Sequence, residues 1–145
     1  MDASDQPRDI LLAEDNPADV SLLRTAFREY GQLPCRIYSV RDGEAALAFL
    51  QQQGVYAGMS RPHLTILDIG LPKLGGWKVL KTLRAIPALA TLPVVMLTGA
   101  RMEVDDGHRA ALQPVGYFVK PLLLREYQQL VRELEQLLVV IPNTK

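Results

Sequence analysis

The sequence has a single cysteine, no excess of charge of either sign and no long apolar run. One cysteine, Cys35, excludes an internal disulfide, and it is expected to serve as a small buried hydrophobe rather than a reactive thiol. Lysine and arginine number 16, as do aspartate and glutamate, so the formal charge is zero. That balance argues against a surface built to neutralise nucleic-acid phosphates, and no DNA partner is expected. No apolar stretch is long enough to cross a bilayer, so no membrane partner is expected. The polar start, Met1-Asp-Ala-Ser-Asp-Gln-Pro-Arg8, lacks the apolar segment of a signal peptide, and a cytoplasmic protein is expected. Repeats and low-complexity tracts are also missing. At 145 residues the chain suits one domain with one core. The pattern predicts a disordered tail over 1–8, a single domain over 9–141 and a short tail over 142–145.

What is present is a chain organised around His63-Leu-Thr-Ile-Leu-Asp-Ile-Gly-Leu-Pro-Lys-Leu-Gly-Gly76. The apolar run Leu64–Leu67 ends on Asp68, and turn residues follow, so it reads as a buried strand. Asp9–Ala13 is a second short apolar run, ending on Glu14-Asp15. Asn16-Pro17 then predicts a helix start, since Asn is a good cap and Pro suits the first helical position. Strands are predicted over 36–40, 93–97 and 115–119. Helices are predicted from Asp42, over about 77–85, over 103–112, and from about Leu122 to Ile141.

Five strand–helix alternations imply a parallel sheet with helices on both faces. In the flavodoxin-like order 2-1-3-4-5, ligands sit where strands one and three meet at their carboxyl ends. That order would gather Glu14, Asp15 and Asp68 in one crevice, flanked by Thr98 and Lys120. Taken singly, each residue has a plain alternative: a helix cap, a solvated loop charge, a surface lysine. Taken together they suggest a site for a hard cation. Oxygen ligands without His or Cys suit Mg²⁺, which takes one or two carboxylates and phosphate oxygens. Asp68 would then be a nucleophile toward phosphorus, with Lys120 and the Thr98 hydroxyl offered to the phosphate oxygens. His63 and His108 have no second ligand at metal spacing and are expected to be ordinary loop or helix residues.

These residues resemble the receiver domain of two-component response regulators. The resemblance is carried by Ile10-Leu-Leu-Ala-Glu-Asp-Asn-Pro17, Leu67-Asp68, Leu71-Pro72, Gly76, Thr98 and Lys120-Pro121. Glu-Asp-Asn-Pro-Ala-Asp19, Asp-Gly-Glu-Ala-Ala-Leu-Ala-Phe-Leu50 and Leu-Pro-Lys73 are similar to stand-alone receivers that partner phytochrome-type sensor histidine kinases. The resemblance implies that Asp68 is the phosphoacceptor and that Glu14, Asp15, Asp68 and the Gly70 carbonyl hold Mg²⁺. It implies further that Thr98 is the switch hydroxyl, Tyr117 the aromatic that moves with it, and Lys120 the phosphate-binding lysine. The Lys120–Pro121 bond is expected to be cis. Three positions depart from the family pattern: Gly70, Gly75 and Gly99, with the small Ala100 beside them. Small groups at Gly70 and Ala100 would admit water, which predicts a short-lived phosphoaspartate.

The output is expected to be a downstream protein, a phosphotransfer partner or self-association. Leu137-Leu-Val-Val-Ile141 is apolar all round, and Leu137, Leu138, Val140 and Ile141 are expected to form a homodimer interface. Two other functions are conceivable: a hydrolase with an aspartyl nucleophile, and an interaction module without chemistry. Gly70 stands where such hydrolases commonly carry a second Asp, and the intact acid, threonine and lysine set argues against a chemically silent module.

Overall fold

The computed structural model describes residues 6–99 and 106–142. Five strands, β1 (Arg8–Ala13), β2 (Cys35–Val40), β3 (Leu64–Asp68), β4 (Val94–Thr98) and β5 (Gly116–Val119), form one parallel sheet in the order β2-β1-β3-β4-β5. The helices are α1 (Pro17–Tyr30), α2 (Gly43–Leu50), α3 (Gly76–Ala85), α4 (Asp106–Leu112) and α5 (Tyr127–Val140). This is the doubly wound flavodoxin-like arrangement that the alternation predicts.

Both faces of the sheet are buried, and the two-residue period of the strands divides their side chains between two cores. Leu11, Ala13, Leu67 and Met96 pack with Val79, Leu80 and Leu83 of α3 and with Phe49 and Leu50 of α2. Ile10, Leu12, Ile66 and Leu97 pack on the other side with Leu23 and Phe27 of α1 and with Leu130, Leu134 and Leu138 of α5. Local signals start the helices where expected. Asn16 Oδ1 accepts the Ala18 N–H at 2.9 Å, and Asp42 Oδ1 accepts that of Ala45 at 2.8 Å. Cys35 is half-buried against the second core, and burial, then the nearby Glu135 carboxylate, pushes its thiol up to about 11.

Several expectations need correction. Arg8 belongs to β1 rather than to a disordered tail, because it pairs with Cys35 and donates its N–H to the Pro34 carbonyl at 2.9 Å. The last helix starts at Tyr127, not Leu122. Leu122 is exposed, and a 3-10 turn over Leu124–Glu126, tied by the Leu123 N–H to Glu126 Oε1, comes first. There is no cis peptide bond among the described residues, so Lys120–Pro121 is trans, the form that X-Pro bonds favour by about 0.5–1 kcal/mol. Leu138 is fully buried in the domain's own core, because it lies on the stripe of α5 that faces the sheet. Ala100 lies outside the described residues, as do 1–5 and 143–145 of the expected tails.

Candidate phosphoryl and metal site

Asp68 is the last residue of β3, and two features hold it at the strand's carboxyl end. Its Oδ1 accepts the Gly70 N–H at 2.9 Å, which fixes the turn that follows. Gly76 then lets α3 begin hard against the strand, since a Cβ there would lie 2.5 Å from the Asp68 carbonyl oxygen. On the neighbouring strand, Glu14 follows β1 directly, with its N–H on the Val40 carbonyl at 2.9 Å. Its Oε2 accepts the Asn16 N–H at 3.3 Å, so the cap of α1 and the acidic pair form one unit. Glu14 is 2% exposed, whereas Asp15 faces solvent.

Carboxylate oxygens of Glu14, Asp15 and Asp68 all lie within 4.8 Å of one another. Lys120 follows β5, with its N–H on the Thr98 carbonyl at 2.7 Å. Its Nζ lies 2.9 Å from Asp68 Oδ2, 2.5 Å from Glu14 Oε1 and 3.2 Å from Asp19 Oδ2. Glu14 Oε1 is buried, and the Lys120 ammonium is in contact with it. Thr98 is buried at the end of β4, with its hydroxyl donating to the Gly99 carbonyl at 3.3 Å. Tyr117 stacks on Trp77 of α3, with ring centroids 6.2 Å apart, and the Arg109 guanidinium sits over its ring. The Tyr117 hydroxyl is buried without a partner.

The electrostatics follow from crowding acids in a half-enclosed crevice. Burial, then contact with the Asp68 carboxylate, pushes Glu14 up to about 8, against the pull of Lys120. Burial would raise Asp68 as well, but the hydrogen bonds from Glu14, Lys120 and Gly70 outweigh it and hold Asp68 below its ordinary value. Burial opposes the charge on Lys120, yet its bonds to Glu14 and Asp68 raise it further. The crevice thus keeps an ionised carboxylate gripped by an ammonium beside a carboxyl that holds a proton near neutrality. An all-oxygen set of ligands, with Glu14 and Asp68 buried and Asp15 open to solvent, fits a hard divalent cation.

A receiver-domain family model, described as the response regulator receiver domain, matches residues 10–132. The chain belongs to the response regulator receiver domain family. Among curated proteins, the response regulator Rcp1 of Synechocystis sp. is 37% identical over 134 residues, covering 92% of this chain and 90% of Rcp1. Among solved structures, the phosphorylated cyanobacterial phytochrome response regulator RcpA matches with a TM-score of 0.82 and 36% identity, over 94% of this chain and 97% of RcpA. The Mn²⁺-bound form of Rcp1 matches with a TM-score of 0.81 and 36% identity, over 94% and 98% of the two chains. Receiver domains bind a divalent metal and accept a phosphoryl group, and this chain has an acidic cluster at the carboxyl ends of its strands.

The structure brings Glu14, Asp15, Asp68 and Lys120 of this receiver together, and Thr98 and Lys120 join through the backbone. Sequence reading missed Asp19. The signal was available: a helix that starts at Pro17, straight after the acidic pair, must keep its first turn beside the crevice.

Proposed function

We propose that Asp68 accepts a phosphoryl group from a sensor histidine kinase of the phytochrome type, with Mg²⁺ at the site. The observation that carries this reading is the grip on Asp68. Its two oxygens are separately held, one by the Gly70 N–H and one by Lys120 Nζ, beside the Glu14 and Asp15 carboxylates. In the transfer, the P–N bond of a phosphohistidine breaks as an O–P bond to an Asp68 oxygen forms. The bonding pair stays on the imidazole, and the product is an acyl phosphate. Lys120 leaves Asp68 Oδ2 for a phosphoryl oxygen, and the buried Thr98 hydroxyl turns from the Gly99 carbonyl to another. Asp15, Glu14, Asp68 and the Gly70 carbonyl would hold Mg²⁺, which supplies charge neutralisation for the phosphoryl oxygens. The same reading makes the chain a cytoplasmic protein that catalyses its own phosphoryl transfer and dephosphorylation. Its output is a downstream protein or phosphotransfer partner.

The end of α5 supports a homodimer. Val139 and Val140 are 64% and 76% exposed, and Leu137 and Ile141 flank them at partial exposure, while Leu138 anchors the helix to the core. Light scattering at micromolar concentration tests this: a dimer that Val140→Asp converts to a monomer is expected, and a wild-type monomer refutes it.

The phosphoacceptor role is tested by incubation with a small acyl phosphate and Mg²⁺, followed by intact-mass measurement. A single phosphoryl adduct is expected on wild type and none on Asp68→Asn. An adduct that persists in Asp68→Asn, or none on wild type at early times, overturns the reading.

A further inference from the structure

Lys120 reaches three carboxylates, but they are not equivalent. Glu14 and Asp68 belong to the cluster whose oxygens lie within 4.8 Å of one another, and Asp19 does not. Asp19 projects from the first turn of α1, with Oδ2 3.2 Å from Lys120 Nζ. The pair is enclosed: the lysine side chain is 15% exposed and that of Asp19 is 26% exposed. Tyr127, the fully buried first residue of α5, lies close enough that Asp19 helps burial push its phenol up to about 12. Asp19 therefore sits among α1, α5 and the end of β5, within reach of the lysine but outside the metal cluster.

We propose that Asp19 is a positioning residue for Lys120, the carboxylate that keeps the ammonium at the site when a divalent cation takes Glu14 and Asp68. The inference rests on the phosphoacceptor reading and extends it to a residue that need not touch metal or phosphate. An ammonium enclosed at the strand ends needs a counter-charge in every state of the site. In the metal-free chain Asp68 and Asp19 share that task, with Glu14 Oε1 as a further oxygen contact. Once Glu14 and Asp68 turn to a cation, Asp19 is the remaining anionic partner among the described residues. It also draws Lys120 away from the two carboxylates for which lysine and cation compete. Both effects favour the metal-loaded state, so removing the Asp19 charge should weaken metal binding through Lys120. The plain alternative is that Asp19 only complements the N-terminal dipole of α1, which would affect stability without involving Lys120.

A double-mutant cycle on Mg²⁺ affinity, measured by calorimetry on the whole chain, separates these. Asp19→Asn is expected to weaken Mg²⁺ by about fivefold, the scale of a partly buried ion pair, with the melting temperature nearly unchanged. In a Lys120→Met background the same substitution should change affinity by less than about twofold. Asp19→Glu, which keeps the charge, should restore most of the loss. An Asp19→Asn loss of equal size in the Lys120→Met background overturns the role of Asp19 and leaves the phosphoacceptor reading intact, as does no loss in the wild-type background. A wild-type chain that binds no Mg²⁺ overturns both.

Discussion

The indole of Trp77 on α3 stacks against the phenol of Tyr117 on β5, with centroids 6.2 Å apart and planes inclined by 25°. Trp77 is the chain's one tryptophan, so its emission reports on this contact. If Tyr117 moves with Thr98 on phosphorylation, a stable phosphoryl mimic with Mg²⁺ should change tryptophan fluorescence. Tyr117→Ala should abolish the change. Tyr117→Phe removes a buried hydroxyl that has no partner, so it should leave stability unchanged or raise it by up to about 1 kcal/mol in denaturant titration.

Glu14 predicts a proton linkage. Its carboxyl, pushed up to about 8 by burial, carries a proton at pH 7 and must release it to ligate a cation. Mg²⁺ affinity should therefore strengthen as pH rises toward 8 and level off above it. Calorimetry at pH 7 in buffers of different ionisation enthalpy should register release of about one proton per ion. Glu14→Gln should remove both the release and the slope.

Gly70 leaves the side of the phosphoacceptor open. It is exposed, and a Cβ there would meet only Asp68 Oδ1, at 3.7 Å, so a larger side chain has room. Gly70→Asn should slow dephosphorylation severalfold by shielding the acyl phosphate from water. An unchanged decay rate, followed by intact mass after removal of the phosphodonor, would count against a short-lived phosphoaspartate.

Glu135 holds the second core's far end together. It is buried on α5, and its Oε2 accepts the N–H groups of Gln32 and Leu33 at 2.6 and 2.7 Å, just past the end of α1. Glu135→Ala leaves two donors unpaired and should cost about 3 kcal/mol in urea unfolding, since bonds to a charged acceptor are the stronger kind. Phosphorylation at the opposite end of the sheet should persist in whatever fraction stays folded.

Periodicity and punctuation carried the fold in this chain. Short apolar runs ending on acids or Thr, separated by capped helices, leave few arrangements other than a parallel doubly wound sheet, because helical crossovers are right-handed and the strands are buried on both faces. The acidic cluster was legible for the same reason, since strand ends converge in any sheet of this order. Tertiary structure decided what local pattern does not encode. Leu137 and Leu138 are the same residue type side by side, yet only Leu138 is fully buried, because the angle of α5 on the sheet selects which stripe is covered. Asp19 and Lys120 are 101 positions apart, and only the packing of α1 beside the end of β5 makes them an ion pair. The competition for Lys120 among Glu14, Asp68 and Asp19 is likewise a matter of distance and burial, because the strength of a charge interaction depends on separation and solvent screening, neither of which a residue carries alone.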